Sequence, residues 1–483
     1  MEVALLGGTG FIGRELGLRL ATAGHTLRVV TRRPEAVRGT LPFPCTLHSY
    51  NGVDLPADVL DGCDAVVNLC GEGIADQPWT PSRRTAILES RTASVAGLAR
   101  AIKASSRPPR MVLQASAVGY YGDRGDELLE ENSQPGTGFL ATTCVAWEHS
   151  TSALEAVGVR LVKFRIGMVL GLAGGALSEL IPIYAKGLGA VLGHGRQWTS
   201  WIHIDDLIRM MQAALEDDGW RGTYNAVAPE PCSNRAFNNA LADHGRYQAS
   251  KAVPALVLRT VMGGRASLAL DSVRVIPARA AQHGFAFVHG TIDDAFGAVF
   301  GRSGTVPYQH LRHITAKQWL PGGVEHWWGF FADPQNLERL TPPWLSFHIR
   351  HVQDRNGDAT VANGTQIKYR LRLHGIPVSW TSVIKDWHPP APSVSSEHGA
   401  WCGFVDEQTH GPYNVWHHQH RIEPLAGGTL VTDAIWYRLP IAPLGELFGG
   451  ALVDADLRRI FGYRAKITAQ LSGGAAPCGQ SGR

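Results

Sequence analysis

The run Val3-Ala4-Leu5-Leu6-Gly7-Gly8-Thr9-Gly10-Phe11-Ile12-Gly13 constrains this chain more than any other stretch. An apolar segment of strand length feeds a glycine-spaced turn. From Phe11 to Leu20 apolar residues recur at helical spacing, and Gly24 closes the pattern. Glycines at 7, 10 and 13 permit a tight turn, close approach of backbone to a pyrophosphate, and close packing of helix on strand. The helix start offers N–H groups and the positive end of its dipole to phosphate. A glycine triad alone says little. Here it lies between a strand and a helix and precedes a second strand at Thr26–Val30, the context that a dinucleotide loop requires. Gly7, Thr9, Gly10, Phe11, Ile12 and Gly13 are therefore the first candidate coenzyme contacts.

The second strand ends in Thr31-Arg32-Arg33-Pro34. A site for NAD usually carries an acidic residue here to hold the ribose 2′-hydroxyl, whereas arginine suits a 2′-phosphate. Two arginines and no carboxylate argue for NADP(H). The competing reading is a solvated basic loop.

Bulk properties narrow the class. A chain of 483 residues exceeds one ordinary core, so two domains are expected. With 44% hydrophobic and 18% charged residues and no long apolar run, it reads as soluble and globular, without a membrane span. A net charge of +3 and the lack of a basic run argue against a nucleic-acid partner. The seven cysteines (45, 63, 70, 144, 232, 402, 478) are scattered, odd in number and without a CxxC pair. They read as reduced thiols in the cytoplasm, not as a disulfide frame or zinc site. Met1-Glu2 leads directly into the first strand, without the pattern of a secretory signal.

Asp64-Ala65-Val66-Val67-Asn68-Leu69-Cys70-Gly71 has the form of a buried parallel strand whose end lies over the coenzyme. Ser82–Ile102 is helical in spacing, and Met111–Ser116 is another buried strand, running into Ala117-Val118-Gly119-Tyr120-Tyr121-Gly122. Strands alternating with helices make a doubly wound α/β domain.

These motifs resemble the extended short-chain dehydrogenase/reductase superfamily, and within it the atypical NAD(P)-binding, epimerase-like subgroup of largely unassigned function. The matching features are the glycine run, Asn68-Leu69-Cys70-Gly71, Trp79 with Ser90-Arg91, and Ser116 with Tyr120-Tyr121-Gly122. Arg165-Ile166-Gly167-Met168-Val169-Leu170-Gly171, Trp201-Ile202-His203-Ile204-Asp205-Asp206, Tyr224-Asn225 and Asp271–Pro277 complete them, over roughly residues 1–297. The resemblance implies a Rossmann domain with a small substrate lobe. It also implies coenzyme contacts from the glycine loop, Thr31 and Arg32 with Arg33 beside them, Leu69-Cys70 with Gly71, Arg91, and the backbone near Met168.

One departure bears on the chemistry. The superfamily uses a Tyr-x-x-x-Lys pair, in which lysine lowers the tyrosine pKa for proton exchange near neutral pH. The corresponding stretch here is Phe139-Leu140-Ala141-Thr142-Thr143-Cys144-Val145-Ala146-Trp147-Glu148, with neither tyrosine nor lysine. Cys144 and Glu148 take those places, a loss that the atypical subgroup shares. The candidate catalytic residues are then Ser116, unless Ala117 holds that register, and Tyr120 or Tyr121 at the end of the strand. Glu148 beside a Cys144 thiol is either an acid–base device or a helix carboxylate with a buried cysteine. His203 is read as structural, orienting the segment between the lobes. Residues 172–297 form the substrate lobe, with a flexible loop at Gly171–Gly175. On the loop Gly193–Trp198, Arg196 is either a diphosphate ligand or a surface arginine.

Residues 298–308 read as a linker, with Gly301-Arg302-Ser303-Gly304-Thr305-Val306-Pro307 at its centre. Beyond it the composition changes, with nine of the fourteen tryptophans after His310. Strands are expected at Leu311–Leu320, Ser346–Val352, Thr365–Leu373, Val378–Trp387, Asn414–Ile422 and Thr429–Leu439, and helices at Gly323–Phe331 and Leu444–Leu471. This order resembles the START-like (SRPBCC) helix-grip fold over residues 309–471, an α+β domain. Local matches are Phe331-Ala332-Asp333-Pro334, Leu340–Leu345, Phe404–Gln408 and Gly411-Pro412-Tyr413. That resemblance implies an apolar ligand between sheet and long helix. Trp416-His417-His418-Gln419-His420 places at most two imidazoles on one strand face, so no metal site is expected. Residues 472–483 read as a disordered tail.

Two readings follow. One is an NADP(H)-dependent oxidoreductase or epimerase-like enzyme on a small hydroxyl or carbonyl substrate. The other is a non-catalytic NADP(H) sensor that carries an apolar ligand in its C-terminal domain.

Overall fold

Strand β1 (Glu2–Leu6) buries Val3 through Leu6 completely. That is why its sequence is a continuous apolar run: a central parallel strand is covered on both faces. The computed structural model describes residues 1–249, 251–301, 311–353, 361–390, 401–440 and 444–472. They belong to two compact units, one of Met1–Pro34 with Leu47–Gln309 and one of Glu35–Thr46 with His310–Arg483.

Around β1 the first unit assembles β2 (Thr26–Thr31), β3 (Thr46–Ser49), β4 (Ala65–Asn68), β5 (Met111–Ala117), β6 (Arg160–Ile166) and β7 (Gly222–Ala226). The strand order is β7-β6-β5-β4-β1-β2-β3. Leu6 pairs with Asn68, Asn68 with Gln114, Ser116 with Arg165, and Arg165 with Asn225, all in parallel register. The order reverses between β1 and β4. In a doubly wound sheet that switch point opens a crevice beyond the carboxyl ends of the strands. Helices α1 (Phe11–Thr22), α2 (Pro81–Ala104), α3 (Phe139–Ser150) and α4 (Ile204–Glu216) connect the strands. Thr80 caps α2 by accepting from Arg83 N, and Pro81 fits the first turn because no N–H is needed there.

A smaller lobe closes around Leu177, Tyr184, Trp201, Phe237, Leu241 and Phe296. Its final helix runs Ile292–Gly301, past residue 297 and into the span read as linker. The rest of that span, 302–308, lies outside the described residues. Gly171, Gly174 and Gly175 do not form the expected free loop. A Cβ on any of them would fall 2.8–3.0 Å from the Phe11 side chain, so the three glycines make the recess into which that ring packs.

The second unit is one antiparallel sheet. Its strands are β8 (Arg312–Pro321), β9 (His348–Gln353), β10 (Gln366–Leu373), β11 (Ile376–His388), β12 (Cys402–His410), β13 (Val415–Leu425) and β14 (Gly428–Arg438), in the order β8-β14-β13-β12-β11-β10-β9. Helix α5 (Val324–Ala332) follows β8, and α6 (Leu444–Leu471) closes the chain. Alternation along β10 buries Ile367, Tyr369 and Leu371. These join Trp380, Phe404, Trp416, Ile435 and Tyr437 in a core to which α6 adds Leu457 and Phe461. The strand β12 went unread in the sequence because Asp406-Glu407-Gln408 breaks its apolar alternation. The tail beyond Ser472 lies outside the described residues. Among the described residues no helix is long and apolar enough to cross a membrane.

Candidate functional site

The glycine loop sits at the switch point, and each glycine has a geometric reason. Gly7 has a φ of +83°, and a Cβ there would lie 3.0 Å from the Leu69 carbonyl. Gly10 closes the turn by donating its N–H to the Gly7 carbonyl at 3.0 Å and is the N-cap of α1. At Gly13 a Cβ would stand 2.3 Å from the Gly7 carbonyl oxygen and 2.6 Å from Gly8 Cα. The helix therefore presses directly on the loop, and its first-turn amides face the crevice. Arg14 Nε donates to the Thr9 carbonyl at 3.0 Å and steadies the outer side of the loop. Phe11 and Ile12 are half-buried.

At the end of β2, Thr31 is half-buried while Arg32 and Arg33 are exposed. Arg32 Nη1 lies 3.6 Å from Glu72 Oε1, and Arg83 holds the other oxygen of Glu72 at 3.1 Å. Glu72 was not singled out in the sequence. It lies forty residues beyond Arg32 and meets it only because β4 lies two strands from β2. Leu69 N donates to the Leu6 carbonyl at 2.9 Å, and Cys70 N to Asn68 Oδ1 at 3.1 Å, so both follow β4 over the crevice. Burial pushes the Cys70 thiol up to about 11 against the pull of Arg32, which leaves it protonated. Arg91 donates to the carbonyls of Ile87 at 2.9 Å and Glu72 at 3.1 Å. A Cβ on Gly71 would meet its guanidinium at 3.1 Å, so Arg91 braces the loop after β4 from beneath. Met168 N donates to the Ser200 carbonyl, and the residue is half-buried.

Beside this crevice the register aligns Ser116, Arg165 and Asn225 on three successive strands. Glu148, one turn after Cys144 on α3, reaches toward them. Arg165 grips it with Nε and Nη2, each at 2.8 Å from a different carboxylate oxygen, and Ser116 Oγ donates to Oε1 at 2.7 Å. Arg165 and Glu148 are both largely buried, with side chains 5% and 11% exposed, so this is an interior ion pair. Tyr121 is fully buried. Its hydroxyl lies 2.7 Å from Asn225 Oδ1 and 2.9 Å from the Glu130 carbonyl, and it accepts from Arg165 Nη1 at 2.9 Å. Burial pushes it up to about 12 even though Arg165 works the other way. Tyr120 is half-buried, and the Arg165 guanidinium lies 3.5 Å from its ring centre. The Cys144 thiol is pushed up to about 12, by burial first and by Glu148 second, so it is no ready thiolate.

His203 Nδ1 accepts the Asp205 N–H at 3.2 Å, which caps α4. Its ring lies 4.0 Å from that of His289. Asp206 is wholly buried and accepts from Arg209, Val288 N and His289 N, tying α4 to the segment before the last helix of the lobe. Arg196 is exposed, on the loop before Trp198. A groove of about 400 Å³ lined by Arg19, Arg209, Trp220 and His283 sits at the C-terminal end of α1, away from the glycine loop.

Comparison with known proteins agrees with this geometry. The model of the NAD dependent epimerase/dehydratase family matches residues 3–226, and that of a domain of unknown function matches 253–299. An epimerase family protein of Mycobacterium bovis is 35% identical over 303 residues, which are 62% of this chain and 98% of that protein. The human epimerase family protein SDR39U1 is 33% identical over 291 residues, 59% of this chain and 95% of its own. The crystal structure of human SDR39U1 with NADPH superimposes with a TM-score of 0.56 at 29% identity, covering 62% of this chain and 99% of that one. A nucleoside-diphosphate sugar epimerase from Corynebacterium glutamicum gives 0.52 at 33% identity, covering 62% and 58%. With nearly the whole length of the first two relatives matched at 35% and 33% identity, the chain belongs to the NAD dependent epimerase/dehydratase family, alongside the SDR39U1 proteins.

Proposed function

We propose that this chain is an NADP(H)-dependent oxidoreductase or epimerase-like enzyme acting on a small hydroxyl or carbonyl substrate. The observation that carries the reading is the glycine loop at the switch point, with Gly13 pressed on Gly7 and Arg32 at the end of β2. The NADPH in the human SDR39U1 structure supports the same coenzyme form. Gly7, Thr9, Gly10, Phe11, Ile12 and Gly13 would surround the pyrophosphate through their backbone. Thr31, Arg32 and Arg33 would hold the 2′-phosphate, while Leu69, Cys70, Gly71 and Met168 line the crevice and Arg91 positions that lining.

Of the three catalytic candidates, Tyr120 has the placement for proton exchange. It follows the end of β5 and is half-buried, with the Arg165 guanidinium 3.5 Å from its ring centre. Ser116 and Tyr121 act as positioning residues, because their hydroxyls are engaged by Glu148, Arg165 and Asn225. The test is hydride transfer from NADPH to a panel of aldehydes, ketones and nucleotide sugars, followed by nicotinamide absorbance. Turnover that falls at least tenfold in Tyr120→Phe, with NADPH affinity kept, supports this role. Equal rates in both proteins exclude it.

A second reading rests on the filled Tyr-x-x-x-Lys positions, where Cys144 and Glu148 are both committed to the interior. In it the chain senses NADP(H) without turnover. The C-terminal unit, a START-like SRPBCC helix-grip domain in this reading, carries an apolar ligand under α6. The antiparallel order of β8–β14 and the apolar face shared with α6 support that assignment. In either reading the chain works in a reducing cytoplasm, a placement that measurement of its thiols in cell extract would test.

The choice of coenzyme has its own test. Arg32→Ala is expected to weaken NADPH binding about tenfold or more, the loss of one charge-assisted phosphate contact, and NADH binding hardly at all. Equal losses for both coenzymes, measured by titration calorimetry, would remove the 2′-phosphate role.

A further inference from the structure

In the run Trp416–His420 on β13, Trp416 packs into the core, and the histidines stand beside it. Alternation places His418 and His420 on one sheet face, and the fold adds a third group from β14. Asp433 stands opposite His420 in the antiparallel register. His418, His420 and Asp433 are 5%, 6% and 6% exposed. Asp433 Oδ1 lies 3.0 Å from His418 Nε2 and 2.8 Å from His420 Nδ1. All three ligating atoms fall within 4.8 Å of one another. Both imidazoles therefore converge on the same carboxylate oxygen, which one metal ion could share with them.

We propose that His418, His420 and Asp433 form a site for one first-row divalent transition-metal ion, with Zn²⁺ as its simplest occupant. Two imidazoles and a carboxylate are a recognised ligand set for zinc and its neighbours. A neutral imidazole has one ring lone pair to give, and both rings lie in the interior beside the carboxylate. When His418 ligates through Nε2, its proton moves to Nδ1. Asp406 faces His418 across the strands and has a buried oxygen, Oδ1, without a partner. A carboxylate in that place is the usual outer support of a metal-bound histidine. Arg464 Nη2, 3.8 Å from Asp433 Oδ1, is the one opposing charge among the described neighbours. Its positive charge opposes a bound cation, so Arg464→Gln is expected to bind metal more tightly.

The full chain, without an affinity tag and stripped with a chelator, is titrated with Co²⁺ and then with Zn²⁺. The expected result is one equivalent of Co²⁺ with an absorption spectrum unlike that of the aqueous ion, displaced by one equivalent of Zn²⁺. His420→Gln and Asp433→Asn should each weaken binding at least tenfold. His289→Gln, which breaks the separate His203, Asp205 and His289 cluster of the first unit, should leave it intact. An aqueous cobalt spectrum in the unaltered chain would overturn the proposal. So would binding that survives His420→Gln, or binding that His289→Gln abolishes. Where either C-terminal variant fails to fold by circular dichroism, the unaltered chain and His289→Gln decide between these outcomes.

Discussion

Gly13→Ala is expected to weaken NADPH binding severely. The new Cβ would lie 2.3 Å from the Gly7 carbonyl oxygen and 2.6 Å from Gly8 Cα. Both obstacles are backbone, so no side chain can swing aside. The loop has to move away from α1, and the amides proposed to meet the pyrophosphate move with it. A loss of about a hundredfold or more in affinity, ~2.7 kcal/mol, is expected by calorimetry. Gly10→Ala provides the contrast. Its Cβ would meet the Gly7 carbonyl oxygen at 3.4 Å, an ordinary contact at a negative φ, so its loss should be far smaller. Equal losses in the two variants would mean that helix-on-loop contact is not what shapes the site.

Glu148→Ala should destabilise the first unit strongly. It leaves the Arg165 guanidinium, in a residue only 4% exposed, without its two-point partner, and it removes the acceptor of Ser116. Breaking one side of a buried ion pair costs about 3–5 kcal/mol. For a unit of this size that lowers Tm by roughly 6–15 °C. Glu148→Gln keeps one acceptor oxygen and should lose less. The double variant Glu148→Ala/Arg165→Met should recover part of the loss, because it removes the stranded charge. Differential scanning calorimetry decides. A double variant less stable than Glu148→Ala alone would show that Arg165 is anchored chiefly by Tyr121 and the Glu131 carbonyl instead.

How much of this could be read before the fold was known depends on the range of each interaction. The glycine roles are local, and a strand running into a spaced turn and a helix states them in eleven residues, Val3–Gly13. Most strands of the second unit were legible because one face of each is buried, which imposes alternation. The β12 strand was not, since Asp406 and Glu407 interrupt the pattern. The loop Gly171–Gly175 reads as flexible in isolation, and only the packing of Phe11 against it explains three glycines there. Tyr120 and Tyr121 are equivalent in sequence. A register that sets Ser116, Arg165 and Asn225 on three successive strands makes one half-exposed and the other interior. Likewise, two histidines on β13 gain a carboxylate only through pairing with β14. Signals that need a cross-strand neighbour are absent from linear spacing.

The account stands on an anionic coenzyme bound through main-chain amides and chosen by arginine. Calorimetric titration of the full chain with NADPH and with NADH tests this most directly. One equivalent of NADPH bound at least about tenfold more tightly than NADH is the predicted result. No heat with either coenzyme, or a preference for NADH, would contradict it.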